Sequence, residues 1–158
     1  MMPTRFISRK KHAGLVIAIA FVLLCCSCRV RTEPGRSPSI RIRITDLARH
    51  LCGIAYRLGG DDVDGFDCSG LVYYIYGCYG MRLPRGAREQ AKLKRKVSID
   101  NAKPGDILIF KIGRERHSAI YLGMGRFIHA PKGNAVVREE DLNRYWRGNL
   151  RSTINAID

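Results

Sequence analysis

The sequence predicts an α+β domain with helices in its first half and an antiparallel sheet in its second. Apolar residues recur at helical spacing between residues 44 and 79, and from Lys103 onward the pattern changes to short β-rich runs separated by turn residues. A third observation sets the domain at residues 44–158. Residues 1–28 have the form of an export signal, and 29–43 form a basic segment rich in Pro, Gly and Ser.

The elements follow in order. Residues 44–57 carry Ile44, Leu47, Ala48, Leu51, Ile54 and Ala55 on one face, with Thr45 or Asp46 available as N-cap, and predict an amphipathic helix. The next stretch, GGDDVDGFD, reads as loop. Asp67 then offers an N-cap, and Leu71, Val72, Ile75 and Cys78 or Tyr79 repeat on one face up to Gly80. Cys68 therefore falls in the first turn of a largely buried helix. LPRGAREQAKL predicts a short third helix, with a solvent-facing Lys/Arg run through Lys96. PGDILIF predicts a strand at 106–110, HSAIYLG one through 122, RFIHA one from 126 and NAVVR one near 135–138.

At the N-terminus, Arg5, Arg9, Lys10 and Lys11 precede an apolar run from Ala13 to Leu24, and Cys25, Cys26, Ser27 and Cys28 follow. Roughly 12 to 16 apolar residues fall short of the ~20 that a spanning helix needs, so a cleaved signal is expected. Small residues before a cysteine resemble the lipobox of bacterial lipoproteins. Cys28, after Ser27, fits the small-residue rule, and Cys26, with Leu23 before it, fits the apolar rule. Lipidation is expected at Cys28, with Cys26 the alternative.

The full chain has 28 basic and 14 acidic residues. Removing residues 1–28 leaves 24 basic residues against the same 14 acids, so the basic character belongs to the mature protein. Arg29, Arg31, Arg36, Arg41 and Arg43 face only Glu33 in the expected tether, a composition suited to anionic lipid headgroups or an anionic wall polymer. Nucleic acid is not expected as a partner of an exported chain. Beyond the signal only Cys52, Cys68 and Cys78 remain. This is an odd number, with Cys52 and Cys78 the candidate pair, and no C-x-x-C in the folded part suggests a metal site. Neither metal nor cofactor is expected.

A thiol attacks as thiolate, and a helix N-terminus lowers its pKa, so the position of Cys68 suits a nucleophile as well as a packing residue. His50 reads as an exposed mid-helix residue. His117 and His129 flank YLGMGRF, a predicted hairpin whose loop 123–125 would set Leu122 opposite Arg126. In that register residue 119 faces 129 and 117 lies diagonal to it on the same face. One imidazole can then act as base while the other orients it.

Several motifs occur in order: YRLGG at 56–60, DCSGLV at 67–72, LPR with Gln90 six residues after Pro84, PGDILIF, H-x-x-I-Y-L-G from His117, FIHA at 127–130 and YW at 145–146. This series resembles the NlpC family of papain-like cell-wall cysteine peptidases over residues 45–152. The resemblance implies a papain-like fold with Cys68 as nucleophile, His117 as general base, His129 as its orienter and Tyr56 as an oxyanion donor. Asp67 and Ser69 would line the substrate groove. It implies peptidoglycan stem peptides as substrate, cut between D-glutamate and diaminopimelate or at the D-alanyl cross-link, the lipoprotein layout favouring the latter. A monomer, lipid-anchored on the periplasmic face of the outer membrane, is the expected setting. Two positions depart from the family: Gly86 stands where Ser or Thr is common, and Ser118 where Val is usual. The rival readings are a papain-like acyltransferase or amidase and a non-catalytic wall-associated lipoprotein.

Overall fold

Ser39 opens the first helix of the computed structural model, which describes residues 39–158. The expected signal, the lipidation site at Cys28 or Cys26, and the tether as far as residue 38 lie outside the described residues. The Ser39 hydroxyl accepts from the Ile42 N–H and satisfies one of the orphan donors of α1 (Ile40–His50). The helix thus begins before the expected start at Ile44 and ends before Arg57. Gly53, at φ 90°, turns the chain out and gives its N–H to the Val137 carbonyl. Residues 40–43 are therefore the first turn of the domain, not the end of a tether. Arg41 donates to Asp106 at 2.8 Å, to the Pro104 carbonyl and to Asp158.

The expected loop after α1 contains a small antiparallel ribbon, β1 (Asp61–Asp62) and β2 (Gly65–Phe66). Asp67 caps α2 (Cys68–Gly77) by accepting from the Gly70 N–H at 2.7 Å. Leu71, Val72 and Ile75 are fully buried, as their spacing predicts. Tyr76 joins them, whereas Cys78 is exposed; Cys52 and Cys78 are both free thiols. The short α3 (Ala87–Gln90) is tied to α2 by its buried Gln90, which donates to the Ser69 and Pro84 carbonyls.

Six antiparallel strands follow: β3 (Lys96–Val97), β4 (Ile107–Ile112), β5 (Glu115–Gly123), β6 (Arg126–His129), β7 (Arg138–Asp141) and β8 (Leu150–Ile154). Their order in the sheet is β3-β8-β4-β5-β6-β7, and α4 (Arg144–Asn149) precedes the last. The predicted strands near 106–110, through 122 and from 126 correspond to β4, β5 and β6. The strand expected near 135–138 falls later, as β7. Residues 135–137 pair instead with the chain after α1, through the Tyr56 N–H on the Ala135 carbonyl and the Val137 N–H on that of Ile54. Neither β3, β8 nor α4 is legible as an element in the sequence.

Alternation along β4 divides the core. Ile107 and Ile109 pack with Ile44 and Ala48 of α1 and Leu71 and Ile75 of α2, while Leu108 and Phe110 pack with Phe127, Leu142 and Trp146. Both faces of the central strand are thus covered. The β5–β6 hairpin keeps the expected register, Ile120 opposite Ile128, but turns more tightly than expected. Gly123 pairs with Arg126, leaving Met124 (φ 52°) and Gly125 (φ 70°) as a two-residue turn with both φ values positive. An irregularity between Tyr121 and Gly123 absorbs the difference. Among the described residues no helix is long and apolar enough to cross a membrane.

Asp106 is 1% exposed and Arg41 is its partner. Arg41→Ala should therefore cost about 3 kcal/mol, because it strands a buried carboxylate. Equilibrium urea unfolding measures this, and an unchanged midpoint would return residues 40–43 to the tether.

Candidate active site

The loop before α2 is built to present Cys68. The Asp67 carboxylate accepts from the Gly70 and Gly59 N–H groups, from the Ser69 hydroxyl, and from both terminal nitrogens of Arg85 at 2.9 and 3.0 Å. Burial pushes the Asp67 pKa up, but the Arg85, Gly70 and Ser69 hydrogen bonds outweigh it and hold the acid below its ordinary range. The cap expected at Asp67 is present, and its pairing with Arg85 was not anticipated. Arg85 stands in the LPR motif, to which the sequence attaches no role.

The two histidines meet as the hairpin register requires. His117 Nε2 lies 2.7 Å from His129 Nδ1, and His129 Nε2 lies 3.1 Å from Glu140 Oε1. Glu140 also accepts from Arg138 at 2.6 and 2.8 Å and from the Trp146 indole N–H at 2.7 Å. Burial raises the Glu140 pKa, but the bonds from Arg138, Trp146 and His129 prevail and keep it an anion. This carboxylate, an acceptor only, sets the direction of the whole chain. His129 donates through Nε2, so its Nδ1 is a lone pair. His117 must then donate through Nε2, and its own Nδ1 is left bare as a base. Trp146 lies nearly parallel to His117 at 6.0 Å between ring centroids and edge-on to His129 at 5.2 Å. His117 and His129 are 7% and 1% exposed, so the aromatic wall keeps the relay dry.

Cys68 shares a cavity of about 450 Å³ with His117, His129, Glu140 and Trp146. On its other side, an adjoining groove of about 340 Å³ brings Cys68 together with Tyr56, Asp67 and Ser69. All six expected domain positions thus converge on one continuous depression. A larger hollow of about 920 Å³ beside Tyr73, Tyr74 and Met81 contains Cys78 but no histidine. His50 is exposed as expected, but it is the last residue of α1 rather than a mid-helix one, and its ring bonds the Asp46 carbonyl. Among the described residues no group of three or more His, Cys, Asp or Glu could hold a metal ion.

The charge state of the thiol departs from expectation. Burial, the largest cause, and the nearby Asp67 charge push the Cys68 thiol up, while the Ser118 and Ser69 backbone N–H groups pull it down without prevailing. Burial, then the neighbouring His129, lower His117 to about 3. Burial likewise lowers His129, against the opposing pull of Glu140. The free site therefore holds a neutral thiol beside a neutral imidazole rather than a ready thiolate. Burial raises the Tyr56 phenol, which keeps its proton and remains a donor. Glu140 and Trp146 are the site residues that the sequence reading missed. Glu140 sits in a run of charges that reads as a solvated edge, and Trp146 stands in a quoted motif without an assigned role.

The model of the NlpC/P60 family matches residues 53–155 of the chain. The murein DD-endopeptidase MepS/murein LD-carboxypeptidase of Escherichia coli K12 is 35% identical over 114 residues, covering 71% of this chain and 61% of its own length. The probable endopeptidase NlpC of Escherichia coli K12 is 32% identical over 144 residues, covering 86% of this chain and 94% of its own. The crystal structure of the NlpC/p60 domain of the peptidoglycan hydrolase SagA matches with a TM-score of 0.65 and 30% identity, over 73% of this chain and 97% of that domain. The chain thus spans 61% of the MepS length.

Two outcomes follow from the relay. Above about pH 6.5 His117 is neutral in both the folded and the unfolded chain; between about 6.5 and about 3 only the unfolded chain takes up its proton. Stability should therefore be intact near neutrality and fall as pH drops through that window. His117→Phe should lessen the loss in urea midpoint between about pH 7 and about pH 4, and an identical loss would contradict the buried neutral imidazole. The relay direction is read by imidazole ¹⁵N NMR near neutral pH. His117 Nδ1 should be unprotonated in the wild type and should average between both tautomers in Glu140→Ala. A mixed wild-type signal would sink the assignment.

Proposed function

The chain belongs to the NlpC/P60 family, and from that premise we propose that it is a peptidoglycan endopeptidase acting through a Cys68 thioester. The single observation that carries this reading is the one-directional relay from Glu140 through His129 to His117, which leaves a bare imidazole nitrogen in the cavity that holds Cys68. A non-catalytic wall-associated protein would have no use for a buried, tautomer-fixed histidine pair beside a thiol.

The proposed mechanism begins with neutral partners. His117 Nδ1 takes the thiol proton as the Cys68 sulfur attacks a peptide carbonyl carbon, so deprotonation and C–S bond formation occur together. The carbonyl oxygen becomes an oxyanion, held by the Cys68 backbone N–H, one of the free donors at the start of α2, and by the Tyr56 hydroxyl. The imidazolium forms against the Glu140 charge transmitted through His129. It then gives its proton to the leaving amine as the C–N bond breaks. Water, deprotonated by the same nitrogen, attacks the thioester and restores the thiol. Asp67 acts in this scheme through position: it caps the helix that presents Cys68, while Ser69 borders the groove beside it.

The substrate in this reading is a murein stem peptide; the relatives' names divide between murein DD-endopeptidases and glutamyl-bond hydrolases, and the expected lipoprotein layout favours the D-alanyl cross-link. We propose further that residues 1–28 direct export and that Cys28, or Cys26, carries the lipid that holds a monomer at the periplasmic face of the outer membrane.

Purified cross-linked murein digested by the wild type should yield monomeric fragments in mass spectrometry. Cys68→Ser should release them at least about a thousandfold more slowly. Equal release by the two proteins would refute the thiol mechanism, and dipeptide loss from stems in place of monomers would move the cleavage to the D-glutamyl bond.

A further inference from the structure

A second depression, of about 400 Å³, opens beside the site and is lined by Arg88, Ala91, Lys92, Lys111, Arg114 and Arg116. All but one of these side chains are cationic, and none is acidic. They come from separate elements: Arg88 and Lys92 from α3 and the turn after it, Lys111 from β4, Arg114 from the β4–β5 turn, and Arg116 from β5. None of the five has a carboxylate partner among the described residues, whereas Arg41, Arg49, Arg57, Arg85, Arg126 and Arg138 each have one. Two acids are adjacent to these residues in sequence: Glu115 is taken up by Lys132, and Glu89 lines the neighbouring groove rather than this cleft.

Solvated charges on a solubility face are ordinarily scattered, and two features here oppose that explanation. Lys111 and Arg116 stand directly opposite one another in the β4–β5 ladder, where like charges destabilise the pairing. Five cations in one concavity also repel one another, a cost that an anion entering the cleft would remove. The cleft is continuous with the reactive centre. Arg88 and Arg116 line the groove that holds Tyr56 and Cys68, and Arg116 also lines the cavity of His117.

We infer that this cleft binds carboxylates of the same peptide whose carbonyl is presented to Cys68, at positions one to three residues from the scissile bond. The inference rests on the hydrolase reading of the site and specifies its substrate as an anionic peptide. Continuity of the groove favours a peptide lying across both over a separate polyanion. Arginine and lysine around a shallow concavity suit carboxylates that arrive with part of their hydration, so the attraction is electrostatic and sensitive to salt.

The test uses the full chain carrying Cys68→Ser and a fluorescent stem-like tetrapeptide, with its side-chain and terminal carboxylates either free or amidated. Fluorescence anisotropy should give the free-carboxylate peptide about tenfold tighter binding at low salt, shrinking as NaCl is raised. Adding Lys92→Gln, Lys111→Gln and Arg114→Gln, which line the cleft but not the Cys68 groove, should abolish that difference and leave the amidated peptide's Kd unchanged. With Cys68 intact, the same three substitutions should raise KM for the free-carboxylate peptide about tenfold, with little change in kcat. Equal affinity of the two peptides, or a preference that survives the three substitutions, would overturn the inference. So would inorganic polyphosphate binding that the free-carboxylate peptide does not displace, since the cleft would then belong to a phosphate polymer. Charge-dependent binding lost in the triple variant, with no cleavage by the wild type, would uphold the cleft and overturn the hydrolase reading alone.

Discussion

The Asp67 carboxylate is the interaction on which the rest of the architecture depends. Its two oxygens receive the first turn of α2, the Gly59 N–H, the Ser69 hydroxyl and the fork of Arg85. One side chain thereby fixes where the helix starts, how the loop before it lies and where the chain ahead of α3 docks. The fit demands glycine. A Cβ on Gly70 would stand 2.0 Å from the Gly60 carbonyl oxygen, so only a bare backbone lets the loop cross the first turn of the helix. Gly60 carries a constraint of its own, since a Cβ there would stand 2.2 Å from the Gly65 carbonyl oxygen. Cys68 inherits its position from this arrangement. The same anion raises the thiol pKa, and in exchange the sulfur has a fixed place.

A second carboxylate, Glu140, closes the other end of the site, and the two together explain where charge resides. Asp67 is paired with Arg85, and Glu140 with Arg138. Between these flanking pairs sit a thiol and two imidazoles that burial keeps neutral. Burying an unreacted thiolate and imidazolium would demand desolvation of both ions in the resting protein. Keeping these groups neutral avoids that cost, and in the proposed mechanism charge develops only when a substrate carbonyl is present to receive the electrons. The direction of proton movement is nevertheless set in advance, because an acceptor-only group stands at the far end of the relay.

Much of this was legible in the sequence, and the misses share a physical cause. Helical spacing and the change to β-rich runs gave the architecture, and the hairpin register placed His117 and His129 on one face because that register depends on local pairing. Boundaries were less accessible. Ile40 and Arg41 look like tether by composition, and they become helix because Ser39 caps them and the buried Asp106 draws Arg41 inward. Arg138, Glu139, Glu140 and Asp141 read as a solvated charge run. Only the pairing of β7 with β6, which sets Glu140 opposite Phe127 and Arg138 opposite His129, turns that run into part of a relay. Long-range pairing of this kind leaves no periodic trace in a single chain. The thiol's charge state was beyond the sequence for a related reason, since helix position pulls its pKa down while tertiary burial pushes it up, and here burial prevails.

The second core cluster joins stability to chemistry. Trp146 packs edge-on to Phe110 at 4.8 Å and Phe127 at 5.0 Å, covering the face of the sheet opposite α1 and α2. The same ring lies along His117 and gives its indole N–H to Glu140. Its apolar body supplies the burial that lowers the base, and its single polar atom helps to hold the acid that orients the base. The pKa of His117 is therefore set by the packing that completes the fold. A residue filling this place must be large enough to cover the sheet, apolar enough to exclude water from two imidazoles, and able to donate one hydrogen bond at its edge. Phenylalanine lacks the donor and tyrosine presents it at a different point on a smaller ring, so tryptophan meets all three demands where neither of the others does.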